Sequence, residues 1–317
     1  MRILVTGALG HIGSQLIRAI PAEVAGPDIC LLDNLSTQRY CSLFDLPDNA
    51  TYRFFEADVL TADLVSLCRG TDVVIHLAAV FDAADGSVPA ATIDRVNRGG
   101  TERIARACAQ AGCPLIFVST TSVYGTHSGP VDEDCRIDDV RSLGPYTESK
   151  WNAELLLETF GREAGLRFVV CRFGTIVGVS PGMRVHTAVS KFCWQALTGV
   201  PLTVWRNAVH QQRPYLDLGD AVRALIFFLQ RDVFDGRVYN VVSLNATVDE
   251  VVSAISAYAP HLQVRHTDPP IPNQASYRVE SRRLTGLGFT FTGTLDRGIS
   301  DTARLFKALI DQRTSVP

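Results

Sequence analysis

Short apolar runs punctuate the first 175 residues: Ile3 to Val5, Ile29 to Leu32, Tyr52 to Phe55, Val73 to His76, Leu115 to Val118 and Phe168 to Cys171. Each has strand length and turn residues at its ends, and several are rich in β-branched side chains. Between them the apolar positions recur at helical spacing. Ile12, Leu16, Ile17 and Ile20 share one face, Ile104, Ala105 and Cys108 a second, and Leu155, Leu156 and Phe160 a third. Strands alternating with helices pair in parallel through right-handed crossovers. The pattern predicts an α/β fold, a doubly wound parallel sheet with helices on both faces.

The alternation weakens after about residue 175, where glycine and proline interrupt Gly174 to Gly182, Gly199-Val200-Pro201 and Asp268-Pro269-Pro270. A helix over Leu218 to Leu229, capped by Asp220, and a strand over Arg237 to Val242 are expected to return to the main sheet. Residues 1–176 and 213–246 are therefore expected to form the sheet domain. Residues 177–212 and 247–317 are expected to form a smaller region packed over the strand ends.

Composition narrows the class. The 317 residues are 46% hydrophobic and 20% charged, enough apolar surface to fill a core and too much for a disordered chain. A formal net charge of −3 provides no basic field for nucleic acid or anionic lipid, so neither is an expected partner. No apolar stretch approaches the roughly 20 residues that span a bilayer. Met1 to Val5 resembles the start of an export signal but breaks at once into Thr6-Gly7-Ala8-Leu9-Gly10, so a cytoplasmic protein is expected. No two of the eight cysteines stand as C-x-x-C, and even Cys108 and Cys113 lack metal-site spacing. Buried free thiols in a reducing compartment, with no metal, are the expectation.

The first strand runs into Gly7-Ala8-Leu9-Gly10-His11-Ile12-Gly13, glycines spaced G-x-x-G-x-x-G between a strand and an amphipathic helix. Gly7 permits the turn, Gly10 lets a pyrophosphate approach the backbone, and Gly13 lets the helix sit against the sheet. The helix N-terminus then offers free N–H groups to phosphate. This is the dinucleotide loop of a Rossmann fold. Asp33, with Asn34 behind it, closes the second strand twenty residues after Gly13, where a carboxylate accepts the ribose hydroxyls of NAD and repels the extra phosphate of NADP; Arg39 nearby weakens that preference. Asp58-Val59 follows the third strand as a candidate adenine contact.

Tyr146 and Lys150 stand as Y-x-x-x-K on one helix face, and a neighbouring ammonium favours a phenolate. Moving a phenol by about 3 units from its usual value near 10 takes about 4 kcal/mol. The fifth strand ends in Ser119-Thr120-Thr121-Ser122-Val123-Tyr124-Gly125, placing Thr120 or Ser122 to bond the substrate oxygen that Tyr146 deprotonates. His76, at a strand end, reads as a structural imidazole, and His11 as a residue packed over phosphate or solvent. His186 and His210 have no assignable role.

With these motifs the chain resembles, over nearly its whole length, an extended short-chain dehydrogenase/reductase of the NAD-dependent epimerase/dehydratase family, the group that includes UDP-galactose 4-epimerase. The likeness extends to Asp33-Asn34-Leu35-Ser36, His76-Leu77-Ala78-Ala79, Asn97 with Gly100-Thr101, and Pro145-Tyr146. It implies NAD as cofactor, Tyr146 as base, Lys150 holding the nicotinamide ribose and tuning Tyr146, and Thr120 assisting. It implies that Leu77, Ala78 and Ala79 line the cofactor and that Asn97 supports the adenine end or the sheet. It also makes the smaller region substrate-binding.

Related 4,6-dehydratases carry an Asp-Glu pair where this chain has Thr121-Ser122, so dehydration is disfavoured and epimerisation favoured. Arg213 resembles the arginine that clamps a nucleotide diphosphate. Thr175 stands where relatives have an asparagine near the sugar diphosphate, and Arg278 is a candidate second arginine. The segment Val80 to Asp85 lacks the basic or serine-rich character of many sugar epimerases. The expected function is a nucleotide-sugar epimerase, acting at C4 with retained NAD. The alternatives are an NAD(P)-dependent net oxidoreductase of the same fold and, from another class, a non-enzymatic dinucleotide sensor. Helices around 97–111 and 147–162 resemble those that form a homodimer interface in relatives.

Overall fold

The computed structural model describes residues 1–81, 88–125, 127–137, 140–185, 187–268 and 276–310. The elements begin with β1 (Arg2–Thr6), α1 (His11–Glu23), β2 (Asp28–Asp33), β3 (Thr51–Glu56), α2 (Leu64–Cys68), β4 (Val73–His76), α3 (Ala90–Asp94), α4 (Gly100–Ala111) and β5 (Leu115–Thr120). They continue with β6 (Gly129–Val131), α5 (Pro145–Ala164), β7 (Phe168–Phe173), β8 (Thr175–Val177), α6 (Ala188–Leu197), β9 (Leu202–Trp205), β10 (Gln212–Asp217) and α7 (Leu218–Arg231). The last are β11 (Val238–Val241), β12 (Leu244–Thr247), α8 (Val248–Ser256), β13 (Val264–Thr267), β14 (Tyr277–Val279), α9 (Arg282–Gly286) and α10 (Leu295–Ile310).

Seven parallel strands form the central sheet in the order β11-β7-β5-β4-β1-β2-β3. The chain winds outward in both directions from β1, and the order reverses between β1 and β4, which opens a crevice at their carboxyl ends. This is the doubly wound sheet expected from the sequence. Strand periodicity sorts the core. Ile3, Val5, Ile29 and Leu31 face α1 and α7, joining Leu16, Ile17, Ile20, Leu225 and Phe228. Leu4, Cys30 and Leu32 face the other way and join Ile104 and Cys108 of α4 with Ala153 and Leu157 of α5.

Beyond the strand ends a third cluster gathers α6, α8 and α10 through Val189, Cys193, Val251, Ile255 and Ile299, around β9 and a small sheet ordered β12-β10-β8. The chain then returns: β14 pairs with β6, and Leu284 and Phe289 join the first cluster.

Two local expectations are corrected. Asp217, not Asp220, caps α7, accepting from the N–H of Gly219 (2.9 Å) and Asp220 (3.2 Å). Asp220 lies one turn in and instead accepts from Ser243 Oγ (2.6 Å) and the N–H of Thr292 (3.1 Å) and Gly293 (2.9 Å), tying the C-terminal segment down. On α5 the stripe Leu155-Leu156-Phe160 splits: Leu156 and Phe160 pack half-buried against the second cluster, whereas Leu155 is 42% exposed. The buried face carries Lys150, Ala153, Glu154 and Leu157. A polar residue can occupy that face when its partner is buried with it, and Glu154 meets Arg172 there.

All eight cysteines are free, six of them buried; Cys41 is exposed and Cys135 half-buried, against the expectation of uniform burial. Among the described residues no helix is long and apolar enough to cross a membrane.

Candidate active site

The glycine loop lies at the β1–β4 crevice. Gly7 has φ +66, and a Cβ on it would stand 2.6 Å from Ala78 N; one on Gly13 would stand 2.5 Å from Gly7 O. Neither position admits a side chain. No side chain caps Gly10 at the start of α1, so the amides of the first turn, around His11, Ile12 and Gly13, remain available to an anion. A loop that hugs the β4 segment and leaves a bare helix N-terminus fits a dinucleotide pyrophosphate. Asp33 is held at its edge, accepting from Leu9 N–H (3.1 Å) and Leu35 N–H (3.0 Å). Asn34 Nδ2 donates to Asp58 Oδ2 (2.9 Å), joining the ends of β2 and β3. Val59 is buried against Gly100, and α2 starts further on, capped by Asp63.

A second wall forms from residues 178–183. His11 Nε2 lies 2.8 Å from Gly178 O, Ser180 Oγ donates to His11 O (2.8 Å), and Gly182 N–H donates to Ser14 Oγ (3.0 Å). A Cβ on Gly182 would stand 2.2 Å from Leu9 O, so the two loops touch backbone to backbone. The His11 ring is thus tied to the facing loop. Burial pulls its imidazole down to about 4, the Gly178 carbonyl opposing.

Tyr146 and Lys150 occupy the first turns of α5, and Thr120 ends β5 beneath them. Thr120 Oγ1 accepts from Ser122 N–H (3.1 Å) and donates to Ser122 Oγ (3.0 Å), which clusters two hydroxyls at the strand end. Thr121 turns inward, donating to Phe173 O (3.2 Å). Tyr146 is half-buried, with the Phe81 ring edge-on at 4.8 Å.

The electrostatics depart from expectation. Burial pushes the Tyr146 phenol up to about 12, and the cation that opposes this is Arg184. Lys150 Nζ instead donates to Val118 O (2.8 Å) over the Phe117 ring. Burial pulls its ammonium down to about 8, Glu154 opposing. A desolvated ammonium takes the nearest carbonyl, and a shared helix face does not ensure that two side chains meet.

Two buried networks brace these residues. His76 Nδ1 lies 2.6 Å from Thr6 Oγ1 and Nε2 lies 3.2 Å from Thr101 Oγ1. Thr101 Oγ1 donates to Asn97 O (2.6 Å), so the consistent tautomer carries its proton on Nε2. Burial, then Lys150, pulls His76 down to about 3, and the imidazole is structural, as expected. Asn97 Nδ2 donates to Val80 O (3.0 Å) and Ser149 Oγ (2.9 Å), while Oδ1 accepts from Val80 N–H (2.8 Å). Asn97 thus ties the segment after β4, Leu77-Ala78-Ala79, to α5.

In the second network Arg172 grips Glu154 (2.6 Å) and donates to Tyr124 OH (2.6 Å), which donates to Asn240 Oδ1 (3.0 Å). Sequence reasoning missed it because its members come from α5, β5–β7 and β11.

Toward the smaller region, Thr175 is exposed at the start of β8. Arg213 is half-buried on β10, donates to Gln212 O (2.8 Å) and Gln211 Oε1 (2.7 Å), and lies 5.5 Å from the Tyr277 ring centroid. Arg278 is exposed on β14. Sequence reasoning also missed Arg184, which converges with Arg39 above the glycine loop and faces Tyr146. A lone arginine in a Gly/Pro-rich loop carries no sequence signal. Residues 82–85 and His186 lie outside the described residues.

A profile of the NAD dependent epimerase/dehydratase family matches residues 3–241. The chain belongs to the NAD-dependent epimerase/dehydratase family. NAD is its cofactor and it is an enzyme. Among relatives of this family member, a protein described as an uncharacterized UDP-glucose epimerase of Bacillus subtilis (strain 168) is 29% identical over 87% of this chain and 88% of its own. A dTDP-glucose 4,6-dehydratase of Streptomyces niveus is 27% identical over 97% of this chain and 93% of its own. Among solved structures, a UDP-glucuronic acid 4-epimerase of Bacillus cereus in complex with UDP-glucuronic acid and NAD superposes with a TM-score of 0.88. That protein is 25% identical, with 98% of this chain and 100% of that one covered.

Proposed function

We propose that the protein is a nucleotide-sugar epimerase that inverts C4 of the sugar with NAD retained in the site. The observation that carries this reading is the end of β5. The hydroxyls of Thr120 and Ser122 cluster there, Thr121 turns inward, and no carboxylate stands at 121 or 122 for the elimination a dehydratase performs. Bound NAD supplies the hydride chemistry, accepting hydrogen from carbon and giving it back.

The chain's own residues orient the sugar and move the proton. Tyr146 takes the proton of the C4 hydroxyl and later returns it. Its phenol stands at about 12 with Lys150 turned to Val118 O, so this role requires Lys150 to swing toward Tyr146 and the cofactor ribose. Thr120 and Ser122 hold the sugar oxygen. Gly7, Gly10, His11, Ile12 and Gly13 cradle the pyrophosphate through backbone, and Asp33 with Asn34 holds the adenosine ribose. Asp58 and Val59 border the adenine, and Leu77, Ala78 and Ala79 line the nicotinamide side. Asn97 keeps that segment seated on α5.

The division of labour we propose is a cofactor-binding domain of residues 1–176 and 213–246 and a substrate-binding domain of 177–212 and 247–317. Arg213 meets the diphosphate and Thr175 the sugar. Leu155, exposed on α5, supports a homodimer through α4 and α5. Eight unpaired thiols support a cytoplasmic setting.

The test is a panel of UDP-, GDP-, CDP- and dTDP-sugars followed by NMR for stereochemistry and by absorbance for reduced nicotinamide. Inversion at C4 without net reduction is expected. In Tyr146→Phe, turnover should fall by a factor of about 100 to 10,000 with NAD binding intact. Stoichiometric accumulation of reduced cofactor, or unchanged turnover in Tyr146→Phe, would overturn the reading.

A further inference from the structure

Three of the buried cysteines meet. Cys68 closes α2, Cys108 lies in the last turn of α4, and Cys113 follows that helix on the way into β5. Their sulfurs all lie within 4.8 Å of one another, and each residue is buried. The three lie among Leu64, Val74, Ile104 and Leu115, on the face of the sheet that α4 and α5 cover, and they belong to neither network that braces the active site. Sequence spacing carried no signal for this cluster. Forty residues separate Cys68 from Cys108, and only the packing of α2 on α4 brings them together.

We propose that Cys68, Cys108 and Cys113 form a three-thiolate site for one thiophilic d10 cation. Thiolate sulfurs around zinc stand about 2.3 Å from the metal, which puts them about 3.8 Å from each other. The 4.8 Å limit on their separations exceeds that spacing by about 1 Å. Three sulfurs with no oxygen or nitrogen donor among them select a soft ion over magnesium or calcium.

A bound ion would pin α2 to α4 and to the turn that enters β5, fixing the segment that follows Asp58-Val59. Binding would release protons and weaken as pH falls.

The test uses the reduced full-length protein. Cadmium chloride is titrated in while the thiolate-to-cadmium charge-transfer band in the near ultraviolet is followed, and zinc chloride is then used to displace it. The expected result is a band that saturates at one cadmium per chain and is abolished by zinc. It should persist in Cys41→Ala, which removes the exposed thiol, and affinity should fall at least tenfold in Cys68→Ala and Cys108→Ala. A second measurement needs no core variant. In mild denaturant, one equivalent of zinc should slow iodoacetamide alkylation of Cys68, Cys108 and Cys113, read by mass spectrometry, while Cys41 labels at its original rate. Absence of a saturable equivalent, a band lost in Cys41→Ala, or equal alkylation with and without zinc would overturn the site. None of these outcomes depends on the epimerase reading.

Discussion

Replacing Glu154 with glutamine removes the carboxylate from an ion pair buried beneath the helix that carries Tyr146 and Lys150. The Arg172 and Glu154 side chains are 4% and 2% exposed, so solvent screens almost nothing. Burial opposes the guanidinium charge, and Glu154 and Tyr124 outweigh it, holding Arg172 above its usual range. Leaving one such charge without its partner costs about 3–5 kcal/mol. Glutamine retains one acceptor oxygen, which places Glu154→Gln near about 3 kcal/mol and Glu154→Ala near about 5 kcal/mol. With a urea slope of about 3 kcal/mol/M, the glutamine variant should unfold about 1 M earlier. A double variant, Glu154→Leu with Arg172→Met, removes both charges and should recover at least half of the loss.

The same carboxylate opposes the burial of Lys150, whose ammonium stands at about 8. Without Glu154 that value falls further, so Lys150 gives up its proton at lower pH and the alkaline limb of the turnover profile moves to lower pH. Urea melts of the parent, both single variants and the double variant, with a pH–rate profile of Glu154→Gln, read all of this. A midpoint shift under half that predicted, or a double variant no more stable than Glu154→Gln, would refute the assignment of a desolvated pair.

Gly13→Ala places a methyl 2.5 Å from Gly7 O, where backbone cannot yield, and should abolish NAD binding as read by calorimetry while circular dichroism reports a retained fold. Asp33→Ala removes the carboxylate that accepts from two backbone N–H groups at the loop edge; the protein should bind NAD about tenfold more weakly and discriminate less against NADP in direct titrations. His76 and His11 are held neutral by burial, at about 3 and about 4, against about 6.5 in the unfolded chain. The unfolded state therefore binds more protons below pH 6.5, and stability present above that pH is lost as the medium is acidified. His76 alone should contribute about 2 kcal/mol of loss between pH 6.5 and 4.5, measured by urea melts, and His76→Gln should flatten that slope.

Much of the cofactor half was legible along the chain, because its determinants are local. Period-two and period-3.6 apolar patterns specify strands and helices. A glycine loop between a strand and a helix is a contiguous segment whose conformation depends on its own missing side chains, and both crowded glycines were named from spacing alone. The stripe on α5 held for Leu156 and Phe160 and failed for Leu155, because periodicity places residues on a shared face without fixing how deep each one sits. Glu154 belongs inside since Arg172 comes to it from β7.

By itself, then, the order of residues determined the doubly wound sheet, the dinucleotide loop and the candidate Tyr146, Lys150 and Thr120. Tertiary structure alone decided that Lys150 reaches Val118 O, that Arg184 faces Tyr146, that His11 is locked to Gly178, and that three distant thiols share one pocket. The physical reason is range. Backbone conformation follows from neighbours in sequence, whereas the direction of a buried charge or thiol is set by whichever partners packing brings within bonding distance.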